Sequence, residues 1–173
     1  MRRGCKSRLT SKGWMVKGLL IAPLSIALIG SGCAVRIGRM SDGQRSERLA
    51  IERGRLADLK NPVERTRTYI RIARLLLDFV AGAARDHDAE AMVSLVDQYT
   101  SAIQSARDSI VHSDRDATRN AAGFKDLEEA LRQDIRRLQD VNAGLTVDER
   151  PPVAHALEVA NSIREELLRL LFP

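Results

Sequence analysis

The sequence predicts an all-α protein: an antiparallel bundle of four long helices with a short leading helix, after an N-terminal signal peptide. Three observations carry this. Beyond Ser41, apolar residues recur at three- and four-residue steps through most of the chain. Arg, Glu, Leu and Ala, all strong helix formers, dominate the same region. Runs of alternating β-branched residues and hairpin turn signals are nearly missing. The expected organisation is a signal peptide at 1–32, a tether at 33–41 and one helical domain at 42–173.

The first element is read from its charge and size pattern. Residues 1–18 are basic and polar, Leu19 to Ile29 form an apolar run broken by Pro23 and Ser25, and Gly30, Ser31 and Gly32 lead into Cys33. A basic flank, a short apolar core and small residues before a cut site make a secretory signal peptide. Small residues serve there because a peptidase binds extended backbone beside the bond it cuts. Gly30-Ser31-Gly32-Cys33 resembles a bacterial lipobox, the processing signal of lipoproteins. The resemblance covers residues 1–33 only. It implies a diacylglyceryl group on the Cys33 thiol and cleavage of the Gly32–Cys33 bond, so that 33–41 becomes a lipidated tether. Ser31 and Gly32 fit the pattern; Gly30 stands where a leucine or similar residue is usual, and Ile29 lies one place earlier. The other reading is an uncleaved signal anchor, with the apolar stretch running 17 residues to Val35 and Cys33 left as a free thiol. Met15-Val16-Lys17 is itself a compact start, so translation from Met1 or Met15 is open.

The helices follow in order. The leading helix is expected over 42–60, with a sparse stripe of Leu49, Leu56 and Leu59. Asn61-Pro62 ends it and opens the second helix, with Asn61 as N-cap, Pro62 in the first turn and Glu64 placed for a capping box. That helix runs to about residue 85 with a wide face of Tyr69, Ile72, Ala73, Leu76, Phe79, Val80 and Ala83, broadened by Leu75 and Leu77. Asp86-His87-Asp88 is a short turn, with Asp88 capping a third helix over 89–112. Met92, Val96, Tyr99, Ile103, Ala106 and Ile110 form its heptad-like seam. The polar stretch 113–123 separates it from a fourth helix over 124–142, with Phe124, Leu127, Leu131, Ile135 and Leu138 inward and Gly144 as its stop. A turn over 146–152 holds Pro151-Pro152. The fifth helix, 153–171, presents Val153, Leu157, Ala160, Ile163, Leu167 and Leu171, and its apolar end at Phe172-Pro173 is expected to dock. Pro62-Val63 and Pro152-Val153 open similar helices, but their internal offsets differ and no period of about 34 residues recurs, so a tetratricopeptide array has no support.

Composition bounds the function. With 173 residues, 44% hydrophobic and 29% charged, the chain suits one globular domain and excludes a disordered polar chain or a multi-pass membrane protein. Two cysteines exclude a disulfide scaffold and a four-cysteine zinc site. The 28 basic and 23 acidic residues leave +5, but six of the basic ones (Arg2, Arg3, Lys6, Arg8, Lys12 and Lys17) precede Cys33. The remainder holds 22 basic against 23 acidic residues, a net −1, with no footprint for a phosphate backbone.

Catalytic constellations are not legible. His87, His112 and His155 form no Glu-x-x-His or His-Glu-x-x-His pattern, and no Gly-x-Ser-x-Gly elbow is present. Asp108 and His112 lie one helical turn apart and read as a surface pair. Glu128-Glu129 and Glu165-Glu166 diverge by about 100° as adjacent helical residues, so they read as solvated faces. Arg65, Arg67, Arg71 and Arg74, and Arg132, Arg136 and Arg137, read as ion-paired surface, with Arg74–Asp78 and Glu128–Arg132 as intrahelical partners. No catalytic residue, metal ligand or cofactor is expected. The expected function is a lipid-anchored cell-envelope protein with a binding or structural role, on the periplasmic face of the outer membrane if the producer has two membranes. Its partners are then the membrane, through a lipid on Cys33, and another envelope protein, with no nucleic acid. The alternatives are a small-ligand sensor bundle and an enzyme whose site is assembled across helices.

Overall fold

The computed structural model describes residues 41–173, so the expected signal peptide, the Gly32–Cys33 bond and the expected tether through residue 40 lie outside the described residues. The chain forms α1 (Asp42–Arg55), α2 (Pro62–Arg85), α3 (Ala89–Val111), α4 (Phe124–Gly144), a 3₁₀ turn (Val147–Glu149) and α5 (Arg150–Leu171). It is a helical bundle, with no strand among the described residues.

The caps explain most boundaries. Ser41 closes a reciprocal box with Gln44: the Gln44 N–H donates to Ser41 Oγ at 3.3 Å, and the Ser41 N–H donates to Gln44 Oε1 at 3.0 Å. Asn61 and Asp88 cap α2 and α3 as expected, accepting from Val63 N and Ala91 N. The box expected from Glu64 does not form; that carboxylate turns to Arg67, 3.6 Å away.

Three boundaries differ from expectation. α1 stops five residues early, because the Leu56 and Asp58 N–H groups bond carbonyls three residues back, at Arg53 and Arg55. This tightening ends the α-helical ladder. α5 starts at Arg150, since Pro151 and Pro152 sit in its first turn, where no backbone N–H is needed. Gly144 is the last residue of α4 rather than a left-handed stop; Leu145, buried and extended at φ −87°, ends the helix.

The core fills the space between α2, α3, α4 and α5. Every inward residue expected on α3 and α4 is buried. α2 is buried more widely than its expected face, adding Val63, Ile70 and the threonines Thr66 and Thr68. Both threonine hydroxyls donate to carbonyls four residues back, Pro62 and Glu64, at 2.9 Å, which satisfies them inside the protein. On α5 the stripe runs through Val153, Ala156, Ala160, Ile163 and Leu167, leaving Leu157 half-buried. The C-terminal end does not dock: Phe172 is 71% exposed, because the apolar stripe ends at buried Leu167 and half-buried Leu171. Phe79 is half-buried and lies beneath the Arg45 guanidinium, 5.6 Å from its ring centre, because α1 covers that side of α2. The 113–123 segment is less polar in practice than in composition, since Ala117 is buried with the core.

Helix neighbours follow an order the turns alone do not dictate. α2 packs on α3, α3 on α5, α5 on α4 and α4 on α2. Successive helices are antiparallel, so the fold is two αα-hairpins side by side. The contacts between hairpins are parallel. Arg67 meets Asp126, Arg74 meets Gln133 and Asp78 meets Arg137, each pair 59 residues apart. On the other side Arg107 meets Glu166, again at a separation of 59. α1 runs antiparallel along α2, with Arg45 over Phe79 at one end and Glu52 on Arg71 at the other.

Gly123 joins the hairpins at φ +87°, and a Cβ there would meet Ile110 Cδ1 at 2.6 Å. Gly123→Ala is therefore expected to cost about 1–3 kcal/mol in urea unfolding, from the left-handed backbone and the overpacked core. Gly144→Ala, with nothing within 4 Å, should be neutral or stabilising by up to about 1 kcal/mol. Leu76→Ala, at 1% exposure, should cost about 2–5 kcal/mol. Equal tolerance of Gly123→Ala and Gly144→Ala would contradict the close approach at Gly123.

Candidate functional site

Two features set polar groups against the apolar faces, and both are centred on α2. The first is the junction of α1 with the first hairpin. The stripe of α1 reads Leu49, Glu52, Leu56, and the acid at its centre is its one buried residue, 3% exposed. Arg71 Nε donates to Glu52 Oε2 at 3.0 Å and Arg55 Nη1 to Glu52 Oε1 at 3.3 Å. Arg71 Nη2 also donates to the Thr68 hydroxyl at 2.7 Å. Both carboxylate oxygens are thereby matched, the condition for holding a charge out of water. Further along, Arg53 Nη2 donates to Gln98 Oε1 on α3 at 2.8 Å. Between α1, α2 and α3 a groove of about 320 Å³ remains, floored by Leu56, Tyr69, Ile72, Leu76 and Ala102. Its rim is polar, with Arg53, Asp97 and Gln98.

The second feature is the seam between hairpins. Its outer edge carries the polar rungs at Arg67–Asp126 (2.7 Å), Arg74–Gln133 (3.2 Å) and Asp78–Arg137. Inside them, Asp134 on α4 is 1% exposed and Tyr99 on α3 is fully buried. Burial is the main cause that pushes the Asp134 carboxyl up to about 6, against the pull of the Arg74 and Arg137 guanidinium groups. Burial likewise holds the Tyr99 hydroxyl well above its ordinary range, so it stays a neutral donor. On the α3–α5 side, Arg107 grips Glu166 with two parallel bonds of 2.9 and 2.7 Å. That pairing, through its hydrogen bonds first, lowers the Glu166 carboxyl.

The residues singled out from the sequence fall as follows. His87 sits exposed in the hairpin turn at φ +55°. His112 lies 3.8 Å from Asp108 and His155 lies 4.0 Å from Glu158, both on the surface. Among the described residues, no group of three or more His, Cys, Asp or Glu is placed to hold a metal ion. The expected intrahelical pairs are replaced by interhelical ones. Arg74 bonds Gln133 and Asp78 takes Arg137, while Glu128 accepts from Arg164 at 2.9 Å. In each adjacent carboxylate pair one member ties two helices, Glu128 or Glu166, and its neighbour faces solvent. Asp134 and Glu52 were not singled out, yet both interrupt apolar stripes. Leu127, Leu131, Asp134 and Leu138 share one face of α4, and an acid in a stripe is the signal that marks them.

Comparison with protein-family models, curated proteins and solved structures finds no match. Among the described residues, no helix is long and apolar enough to cross a membrane.

The clamp on Glu52 makes a specific prediction. Arg71→Met leaves a buried carboxylate short of its main partner, a change of about 3–5 kcal/mol where a buried pair is broken. α1 should then loosen, and trypsin should cut near Lys60 faster, while Glu52→Leu with Arg71→Met restores resistance. Unchanged cleavage in the single variant would show that α1 is held by something else.

Proposed function

We propose that the protein is a lipid-anchored helical protein of the cell envelope with a binding or structural role. The observation that carries the reading is the run from basic flank through apolar core to Gly30-Ser31-Gly32-Cys33, followed closely by the Ser41 capping box that opens α1. Seven residues, 34–40, separate Cys33 from Ser41. Fully extended they reach about 25 Å, at about 3.3–3.6 Å per residue. A diacylglyceryl group on Cys33 would keep the bundle beside the membrane on that lead, with the Gly32–Cys33 bond as the cleavage point. Ala34, next to the cysteine, resembles the outer-membrane sorting pattern, which favours the periplasmic face of the outer membrane if the producer has two membranes. The partner is another envelope protein, met by a helix face of the bundle or by the 113–123 loop.

A small-ligand sensor bundle is the second reading. The apolar-floored groove between α1, α2 and α3 favours it, since such a cleft with a few polar rim groups is the usual form of a ligand site. Crosslinking in the native envelope separates the two, because only the first requires a recurrent protein neighbour.

The anchoring reading stands on one thiol. Cys33→Ser should abolish incorporation of labelled palmitate and leave the precursor uncut. A wild-type mature protein that begins at another residue and carries no acyl mass would refute it.

A further inference from the structure

We propose that the seam between the two hairpins is an acid-tightened joint: protonation of one buried carboxyl, Asp134, set beside the Tyr99 hydroxyl where α2, α3 and α4 meet, governs how firmly α4 holds to its neighbours. The inference does not depend on Cys33 or on the anchoring reading.

Asp134 and Tyr99 are 1% and 0% exposed. Among the described residues, neither Asp134 Oδ2 nor the Tyr99 hydroxyl has a hydrogen-bond partner. An ionised carboxylate with an unmatched oxygen is the costlier state in such a place. The protonated acid carries no charge and gains a donor, so it can pair with a hydroxyl in either direction. The charged groups acting on Asp134 come from two packed elements: Arg74 and Asp78 from α2, and Arg137 from α4 itself. Tyr99 from α3 faces it with a neutral hydroxyl that also favours ionisation, less than the guanidinium groups do. The two guanidinium groups favour ionisation and Asp78 opposes it, yet burial outweighs them.

Position links this titration to the seam. Asp134 follows Gln133, which holds Arg74, and precedes by one turn Arg137, which holds Asp78. These are two of the three rungs joining α4 to α2. When Asp134 ionises, it competes with Gln133 for Arg74 and with Asp78 for Arg137. A charge that either guanidinium turns to meet is drawn from a rung. Protonation releases both guanidinium groups to their seam partners.

The sign follows from linkage. The Asp134 carboxyl is raised from its ordinary 3.8 to about 6 in the folded protein. The folded seam therefore binds the proton more tightly than an opened one. Its stabilisation is fully present below about 3.8 and is lost as pH rises through about 6. Glu166 runs the opposite way, since its lowered carboxyl favours the folded state above the ordinary carboxylate range and loses that effect in acid. Acid thus weakens the α3–α5 tie while tightening the α2–α4 seam.

The test uses the full chain. Carboxyl-carbon NMR should show Asp134 titrating near 6. Amide exchange in α4, corrected for intrinsic rate, should speed up about tenfold between pH 5 and pH 7.5, since each unit of proton affinity is tenfold. Asp134→Asn should flatten that dependence. Arg74→Gln removes a cation that favours ionisation, so it should move the midpoint upward. A wild-type Asp134 that titrates near 4 would overturn the proposal, and so would an Asp134→Asn protein that keeps the pH dependence. The wild-type titration decides the matter even if the asparagine variant does not fold.

Discussion

α2 buries residues around most of its circumference, and the other helices are arranged to satisfy it. Val63, Ile70, Leu76, Leu77 and Val80 point in directions no single partner could cover. α3 takes one side, α4 a second and α1 part of a third. Burying a Leu- or Ile-sized side chain contributes about 1.5–3 kcal/mol, so leaving one side of α2 open would forfeit much of a small domain's stability. Apolar contact is non-directional, however, and a smooth stripe allows more than one register. The polar rungs supply the missing information. Arg67–Asp126, Arg74–Gln133 and Asp78–Arg137 can all form only when α2 and α4 lie parallel at one offset.

The same constraint explains where charge enters the interior. Glu52 lies in the stripe that joins α1 to α2, and Asp134 in the stripe that joins α4 to the first hairpin. Each costs stability relative to an apolar residue of similar size. Each also sits where one element meets another, so register rather than burial is at stake. Glu52 has both oxygens matched by arginines. Asp134 does not: its Oδ2 is buried without a hydrogen-bond partner.

Much of this was legible in the sequence because local rules set it. The Asn61 and Asp88 caps, the 86–88 turn, the α3 seam from Met92 to Ile110 and the inward face of α4 follow from spacing and capping chemistry within a few residues. The pairing of helices was not legible, because Arg107 and Glu166 are 59 residues apart and nothing near either one names the other. The local alternatives looked adequate: Arg74 has Asp78 one turn away, yet both turn outward to α4 because that helix lies against them. Phe79 was misplaced for a related reason. Its spacing fits the core stripe, but α1 comes back over α2 and Arg45 covers the ring. Asp134 and Glu52 left a readable mark, an acid at an apolar position; what each one meets depended on the packing. Cys33 lies outside the described residues, and no packing argument bears on the processing proposed for it.

The two hairpins lie side by side in parallel at an offset of 59. Distances between paired spin labels test this arrangement most directly, with Cys5 and Cys33 replaced and new cysteines at chosen sites. Labels at 67 with 126 and at 74 with 133 should give matching short distances, while the crossed pair 67 with 133 should be longer, for a rise of about 10 Å over two helical turns. Short distances for the crossed pairs 67 with 133 and 74 with 126 would mean that α2 and α4 run antiparallel, and would contradict the account.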